Sequence, residues 1–439
     1  MLGVRRDYFT ATVARCIYAF ITGGSMKTYG VLTEYIVNKL DIPHSVIGSV
    51  LALQQSVGYL AGPVISVLTA RFGCRPIAIF GGFLFGLGYI GQAILNEHLY
   101  WFIIFCAISG FGCGCISYPT YLYLHRVYGN RFGLVQSITS QFIFIGICVV
   151  PLWFTYLWDH FGLQGALILF GAFCWHYVVA GVMISPIDKK GDVRQDDNQW
   201  RENTNILDFT IREIAAKFKR IVTGRQSQRC LLIIVCCHFA CYFSWALFLI
   251  PVAQSRGHDK SAAVILSTAG GLGGIVGRLG STVFFAMENT SKSFNFLLPN
   301  LVQCLAFVGI AFSHSLPNLL LFSSISGITL GFTDGVLPGF IPLNLSKEDI
   351  PVAIAIHFIV YAVGMESGTF LAGFCFDYYQ TYTASFIFLG VISMVAALTA
   401  IVWNLCEYEP TTPNREPKDV TKMKPLSSSS SSTSSGYDR

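Results

Sequence analysis

Twelve apolar stretches of about twenty residues, separated by short polar breaks, constrain this chain more than any other feature of it. A run of that length crosses the roughly 30 Å hydrocarbon core of a bilayer as an α-helix, the form that pairs its backbone polar groups internally. The stretches read as spans at Val13 to Val37, Ile47 to Thr69, Pro76 to Leu95, Tyr100 to Leu124, Phe132 to Tyr156, Leu163 to Ile184, Cys230 to Ala253, Ala262 to Met287, Phe296 to Phe312, Leu319 to Ile341, Pro351 to Phe374 and Thr383 to Trp403. Pro299 and short length make the ninth the weakest. Only 12% of residues are charged, against about 25% in an average soluble domain. The prediction is an all-α, multi-pass membrane protein.

Basic residues orient it. Of 29 Lys and Arg, three (Lys39, Arg256, Lys260) fall outside and three (Arg15, Lys27, Arg278) within spans when both termini are cytoplasmic, leaving 23 in cytoplasmic segments. The net charge of +5 follows from that bias and implies no nucleic-acid partner. Arg5 and Arg6 precede the first apolar run as in a signal peptide, but Arg15 and Lys27 within it mark an uncleaved span. Most of the 14 cysteines lie inside spans, where a thiol behaves as a small apolar group, so neither a disulfide framework nor a metal site is expected.

Between Ser185 and Arg229 hydrophobicity collapses, dividing the chain into residues 1–184, a cytoplasmic loop 185–229, a second half 230–406 and a Ser-rich, disordered cytoplasmic tail 407–439. Within the loop, Ile206, Phe209, Ile211, Ile214, Phe218 and Ile221 follow a helical stripe suited to the membrane surface. The sequons at Asn289 and Asn344 fall on cytoplasmic ends and should stay unmodified. Gly112 and Pro119 in the fourth span match Gly331 and Pro338 in the tenth, and Asp159 and Ala166 match Asp377 and Ala384. A six-helix unit repeated in parallel is the architecture of major facilitator transporters, with substrate held between the halves.

Lysine at a helix centre costs roughly 2.5 to 3.5 kcal/mol on insertion scales, so Lys27 points to a solute path. Gly23, Gly24 and Gly30 lie three or four residues from it and Glu34 seven, giving one helix face with little bulk that suits a cavity wall. Arg278 lies among Gly270, Gly271, Gly273, Gly274, Gly277 and Gly280 of the eighth span, expected to leave open volume around it. Two fixed cations, one per half, favour an anion, with Tyr29 and Asp334 as further candidates for the binding site. Asp334, Glu366, His357 and Glu34 are the proton-coupling candidates; Glu366 and His357, nine residues apart, occupy opposite helix faces. No Gly-Lys pair, zinc-protease helix or nucleophile elbow occurs, so nothing suggests an enzyme or a bound cofactor.

These residues resemble the monocarboxylate transporter family of the major facilitator superfamily. Similarity is densest at Gln54-Gln55-Ser56-Val57-Gly58-Tyr59-Leu60-Ala61-Gly62-Pro63 and at Arg71-Phe72-Gly73-Cys74-Arg75-Pro76, and its pattern extends through Asp377-Tyr378-Tyr379. The resemblance implies a substrate-binding lysine at Lys27 and a carboxylate-pairing arginine at Arg278. It implies a small organic anion, such as a monocarboxylate, moved across the plasma membrane by alternating access, with protons and a single-span accessory glycoprotein as further partners. The chain departs from the pattern in four places. Asp7 is followed by Tyr8-Phe9-Thr10 instead of the family's N-terminal signature, Tyr123-Leu124-His125-Arg126 through Arg131-Phe132-Gly133 keeps only part of the basic motif at the fifth-span entry, Gly274 stands where proton-coupled members carry aspartate, and Ala70 replaces the acidic residue of the general facilitator loop motif. Two alternatives stay open: a facilitator of the same fold for a larger or zwitterionic solute (an aromatic amino acid or hormone-like compound), and a transporter-derived receptor or scaffold.

Overall fold

The structure, a computed structural model, describes residues 2–94, 99–185, 226–286, 294–341, 345 and 350–407. The amphipathic loop stripe, both sequons and the Ser-rich tail lie outside them. The described chain is helical, without strands: Leu2–Leu40, His44–Leu60 with Gly62–Phe72, Cys74–Ile94, Leu99–Tyr128, Phe132–Cys174 with His176–Met183, Gln226–Ser255, Lys260–Ala286, Phe294–Phe312, Leu316–Phe340, Ile350–Tyr379 and Tyr382–Glu407.

Among the described residues, nine helices are long and apolar enough to cross a membrane, or ten if His44–Leu60 and Gly62–Thr69, bent by 44°, form one span. One of the nine, Leu134–Met183, is 50 residues long and supplies two passes. It breaks at Gly162, whose φ of 68° is a left-handed conformation that glycine adopts without strain. Leu2–Leu40 is less apolar, its Gly, Ser, Thr and Tyr residues adding to Arg15 and Lys27, yet its middle is buried among other helices. Twelve passes result, as the hydrophobic pattern predicts.

Helix pairing repeats with an offset of six spans. The first span packs on the fifth and the seventh on the eleventh; the second on the fourth and the eighth on the tenth; the third on the sixth and the ninth on the twelfth. Two six-helix halves with the same internal arrangement follow. They meet where the second span lies on the eleventh, the fifth on the eighth and the first on the seventh.

Glycine sets these close approaches, and here one expectation is corrected. In the eighth span, side chains at Gly273 and Gly277 would run into the backbone carbonyls of Ser324 and Ile328 in the tenth, while Gly270 and Gly274 receive Gly327 and Gly331 from the other side. These glycines bring two helices into backbone contact and open no volume around Arg278. The first span behaves alike: Gly23 packs on the Ile143 carbonyl, Gly24 on the Val150 side chain and Gly30 on the carbonyls of Ala246 and Leu247, so this face is a packing surface, with Lys27 enclosed in it.

Candidate functional site

Lys27 is fully buried, and its Nζ has no hydrogen-bond partner among the described residues. Its ammonium lies over the face of Trp245 in the seventh span, with Nζ 3.7 Å from a ring centroid, and the Cys148 thiol of the fifth span is the other polar group near it among the described residues. Trp245 is also fully buried, and its Nε1 is unpartnered. One and two turns back along the same helix face come Tyr242 and His238, stacked with centroids 5.9 Å apart, whose Oη and Nε2 are unpartnered as well.

This stripe leads to the second cation. Arg278 is 4% exposed and forms an ion pair from Nη1 to Oδ2 of Asp334 in the tenth span, while its Nε lacks a partner. Asp334 lies close enough to act electrostatically on His238 and Tyr242, on Tyr361 of the eleventh span and on Tyr59 of the second. Lys27 and the Arg278–Asp334 pair thus sit at opposite ends of one seventh-span face, up to seven residues or roughly 10 Å apart along the helix. At position 274, where the resemblance implies an aspartate in proton-coupled members, an added Cβ would overlap the Phe144 ring of the fifth span. That space is taken by an aromatic group, so a carboxylate there would need the ring to move.

Most of the unpartnered buried atoms in this region are donors, His238 Nε2 being donor or acceptor according to its tautomer. Lys27 Nζ, Trp245 Nε1 and Arg278 Nε can only donate, and the Tyr242 hydroxyl can donate as well. Since buried polar groups are nearly always paired, a concentration of orphan donors suits a ligand rich in acceptors, above all an anion. Tyr242 and Trp245 are missed by a search for charges; their sequence signal is a spacing of four and seven residues from His238, which keeps all three on one helix face.

The other candidates are dispersed. Tyr29, also fully buried, turns away from Lys27 into the N-terminal half, stacking on Tyr89 at 5.6 Å and accepting a 3.1 Å hydrogen bond from Gln92 Nε2. Two residues advance a helix by about 200°, which explains the separation. His357 is buried, with Nδ1 2.7 Å from the Ala353 carbonyl oxygen of its own helix. Glu366 is partly buried at the contact with Ser56 of the second span, and its Oε1 has no partner. Arg15, buried in the N-terminal half, lies 4.5 Å from the Tyr18 ring centroid and donates to Gln136 at 3.2 Å.

Glu34 belongs to a different device, at the membrane face opposite the termini. It accepts a hydrogen bond from Tyr382 and lies 3.5 Å from Nε2 of His44. Asp377, from the other half, accepts the backbone N–H groups of His44 and Ser45 at 2.7 and 2.8 Å, an acidic group at the N-terminus of the second-span helix. Its repeat counterpart, Asp159, meets Lys260 at 3.3 Å, again across the halves and next to the eighth-span start. The two repeat-related aspartates therefore fasten the same face at symmetric places. Replacing both by alanine is expected to favour opening of this face roughly tenfold, the amount carried by about 1.4 kcal/mol. Faster hydrogen exchange at 34–45 and 377–383 would register it; unchanged exchange would remove the latch.

Against this geometry, comparisons with known proteins are consistent across the chain. A family model described as Major Facilitator Superfamily matches residues 15–287 and 296–432. Monocarboxylate transporter 13 of Rattus norvegicus is 21% identical over 85% of this chain and 83% of its own length. Monocarboxylate transporter 7 of Homo sapiens is 21% identical over 88% and 84% respectively. Among solved structures, a POT family transporter crystallised with a thioalcohol-conjugated peptide superposes with a TM-score of 0.70, covering 93% of this chain and 97% of its own at 14% identity, a likeness of fold.

Proposed function

The chain belongs to the Major Facilitator Superfamily, and on that premise we propose that it is a secondary transporter of the plasma membrane that moves a small organic anion, a monocarboxylate, by rocking its two halves about a central site. One observation carries the reading: buried donors without acceptors, Lys27 Nζ, Trp245 Nε1 and Arg278 Nε, gathered along the line where the halves meet. The names of the curated relatives support the same substrate class. In this reading Lys27 takes the carboxylate, while Arg278 stays with Asp334 until an anion or a change of state separates them.

Proton coupling by the family's aspartate is replaced, in this proposal, by a carboxylate elsewhere. Glu366 is favoured over Asp334 because it lies at the contact between halves with an unpartnered oxygen, whereas Asp334 is already paired with arginine. Uptake is then expected to rise several-fold when external pH is lowered from 7.5 to 6.0, and Glu366→Gln to abolish that rise. Equal uptake at both pH values would remove the coupling and leave a uniporter or exchanger.

A second reading is favoured by one feature, the stretch of aromatic helix face between Lys27 and the Arg278–Asp334 pair. A cation at one end and an ion pair at the other match a longer, zwitterionic aromatic solute better than a three-carbon acid. Radiolabelled uptake into proteoliposomes, competed by lactate, pyruvate, ketone bodies and aromatic amino acids, separates the two. Failure of every member to enter would refute both.

A further inference from the structure

Resting on the anion reading, the contact between Lys27 and Trp245 has a consequence for how the carrier binds and returns. The indole is seated by glycines from two helices. A Cβ at Gly270 would come within 2.5 Å of Cζ2 of Trp245, so only glycine admits the ring beside the eighth span. A Cβ at Gly30 would stand 3.0 Å from the Ala246 and Leu247 carbonyl oxygens, so the first span is drawn tightly onto the seventh at the level of the indole. The lysine stem thereby places its ammonium over the ring at 3.7 Å, away from water and from any carboxylate among the described residues. Asp334 is held by Arg278, and Glu34 lies about 10 Å up the helix, held by Tyr382.

We propose that Trp245 is a surrogate partner that holds the Lys27 ammonium in the empty carrier and competes with the substrate carboxylate for it. Binding is then a transfer of the ammonium from the indole face to the carboxylate. A cation–π contact is weaker than a charged hydrogen-bonded pair, so the carboxylate wins while the indole lowers its apparent affinity. This follows from the rule that a ligand's affinity falls with the fraction of protein in the competent state. The same contact covers the cation when no substrate is bound, so the empty halves rock without an uncompensated ammonium. A carrier of this kind performs net transport and not only exchange.

Stepwise fluorination of Trp245 tests the competition, because fluorine withdraws charge from the ring face while preserving its shape and its N–H. In full-length carrier in proteoliposomes, 5-fluoro-, 5,7-difluoro- and 5,6,7-trifluorotryptophan at position 245 are expected to tighten apparent affinity progressively, by about three- to tenfold in total. The probe is whichever radiolabelled acid among lactate, pyruvate and benzoate the unsubstituted carrier transports fastest. Net efflux into anion-free medium should slow relative to exchange along the same series. A flat series makes Trp245 a packing residue, and progressive weakening makes it a substrate contact; either overturns the proposal. The series repeated in Lys27→Gln and read as binding should be flat or below detection, since tightening there would mean that the ring meets the anion directly. If none of the three acids is transported, the anion reading fails and this inference with it. If Lys27→Gln abolishes transport but fluorination has no effect, only the inference fails.

Discussion

Lys27→Gln is expected to reduce uptake on the order of a hundredfold while the protein still reaches the membrane. Two effects of opposite sign meet in this one substitution. Removing a charged partner from a buried, hydrogen-bonded pair costs about 2 to 5 kcal/mol, which is the loss expected in the substrate-bound carrier. In the structure the same ammonium is buried beside an aromatic face and a thiol, with no carboxylate on it, so glutamine, of similar length and neutral, relieves a desolvation cost and raises thermal stability. Lower flux with a higher melting temperature is the signature of a binding residue held at the expense of stability. Arginine should not rescue it, because a planar guanidinium does not fit the point-charge position over the indole. Radiolabelled uptake and thermal unfolding in detergent read the two effects separately, and full transport by Lys27→Gln would refute the anion site.

How much of this was legible beforehand depends on which physical signal each residue sends. Spans announce themselves through hydropathy, and Lys27 through its cost in the middle of one. Even the repeat was visible in a few matched residues, Asp159 and Asp377 among them, although their joint role in fastening one face needs coordinates. Glycine was ambiguous, because absence of a side chain permits either a void or a close approach. Only neighbours such as Ile328 and Ser324 decide that these runs are contacts. Sharing a helix face does not bring two residues together: Glu34 is on the Lys27 face but two turns along, where it meets His44 and Tyr382. Trp245 and Tyr242 send no charge signal, and in an apolar helix an aromatic residue reads as ordinary packing until an ammonium is found over one of them. Phe144 is harder still, since it fills the place of a side chain that Gly274 does not have.

Arg278 and Asp334 call for a double-mutant cycle, because single substitutions confuse folding with binding. Asp334→Asn alone leaves a guanidinium that is 4% exposed without its counter-charge, and Arg278→Gln alone leaves the carboxylate, so each is expected to lose about 3 to 5 kcal/mol and much of its surface expression. The double variant removes both charges together. Replacing a buried ion pair by neutral groups of similar shape is often near neutral for stability, so expression should return close to that of the parent. Transport then separates the two roles. If the pair is only structural, the double variant carries substrate as well as it folds. If Arg278 leaves Asp334 to hold an anion during the cycle, the double variant folds but does not transport, with a coupling energy of about 2 kcal/mol or more in stability and no matching recovery in flux. The second outcome is expected, for two reasons in the geometry. Arg278 keeps an unpartnered Nε donor even while paired, and its carboxylate partner acts on His238, Tyr242, Tyr361 and Tyr59, groups drawn from both halves. A pair that served packing alone would have no need to sit where the two halves meet.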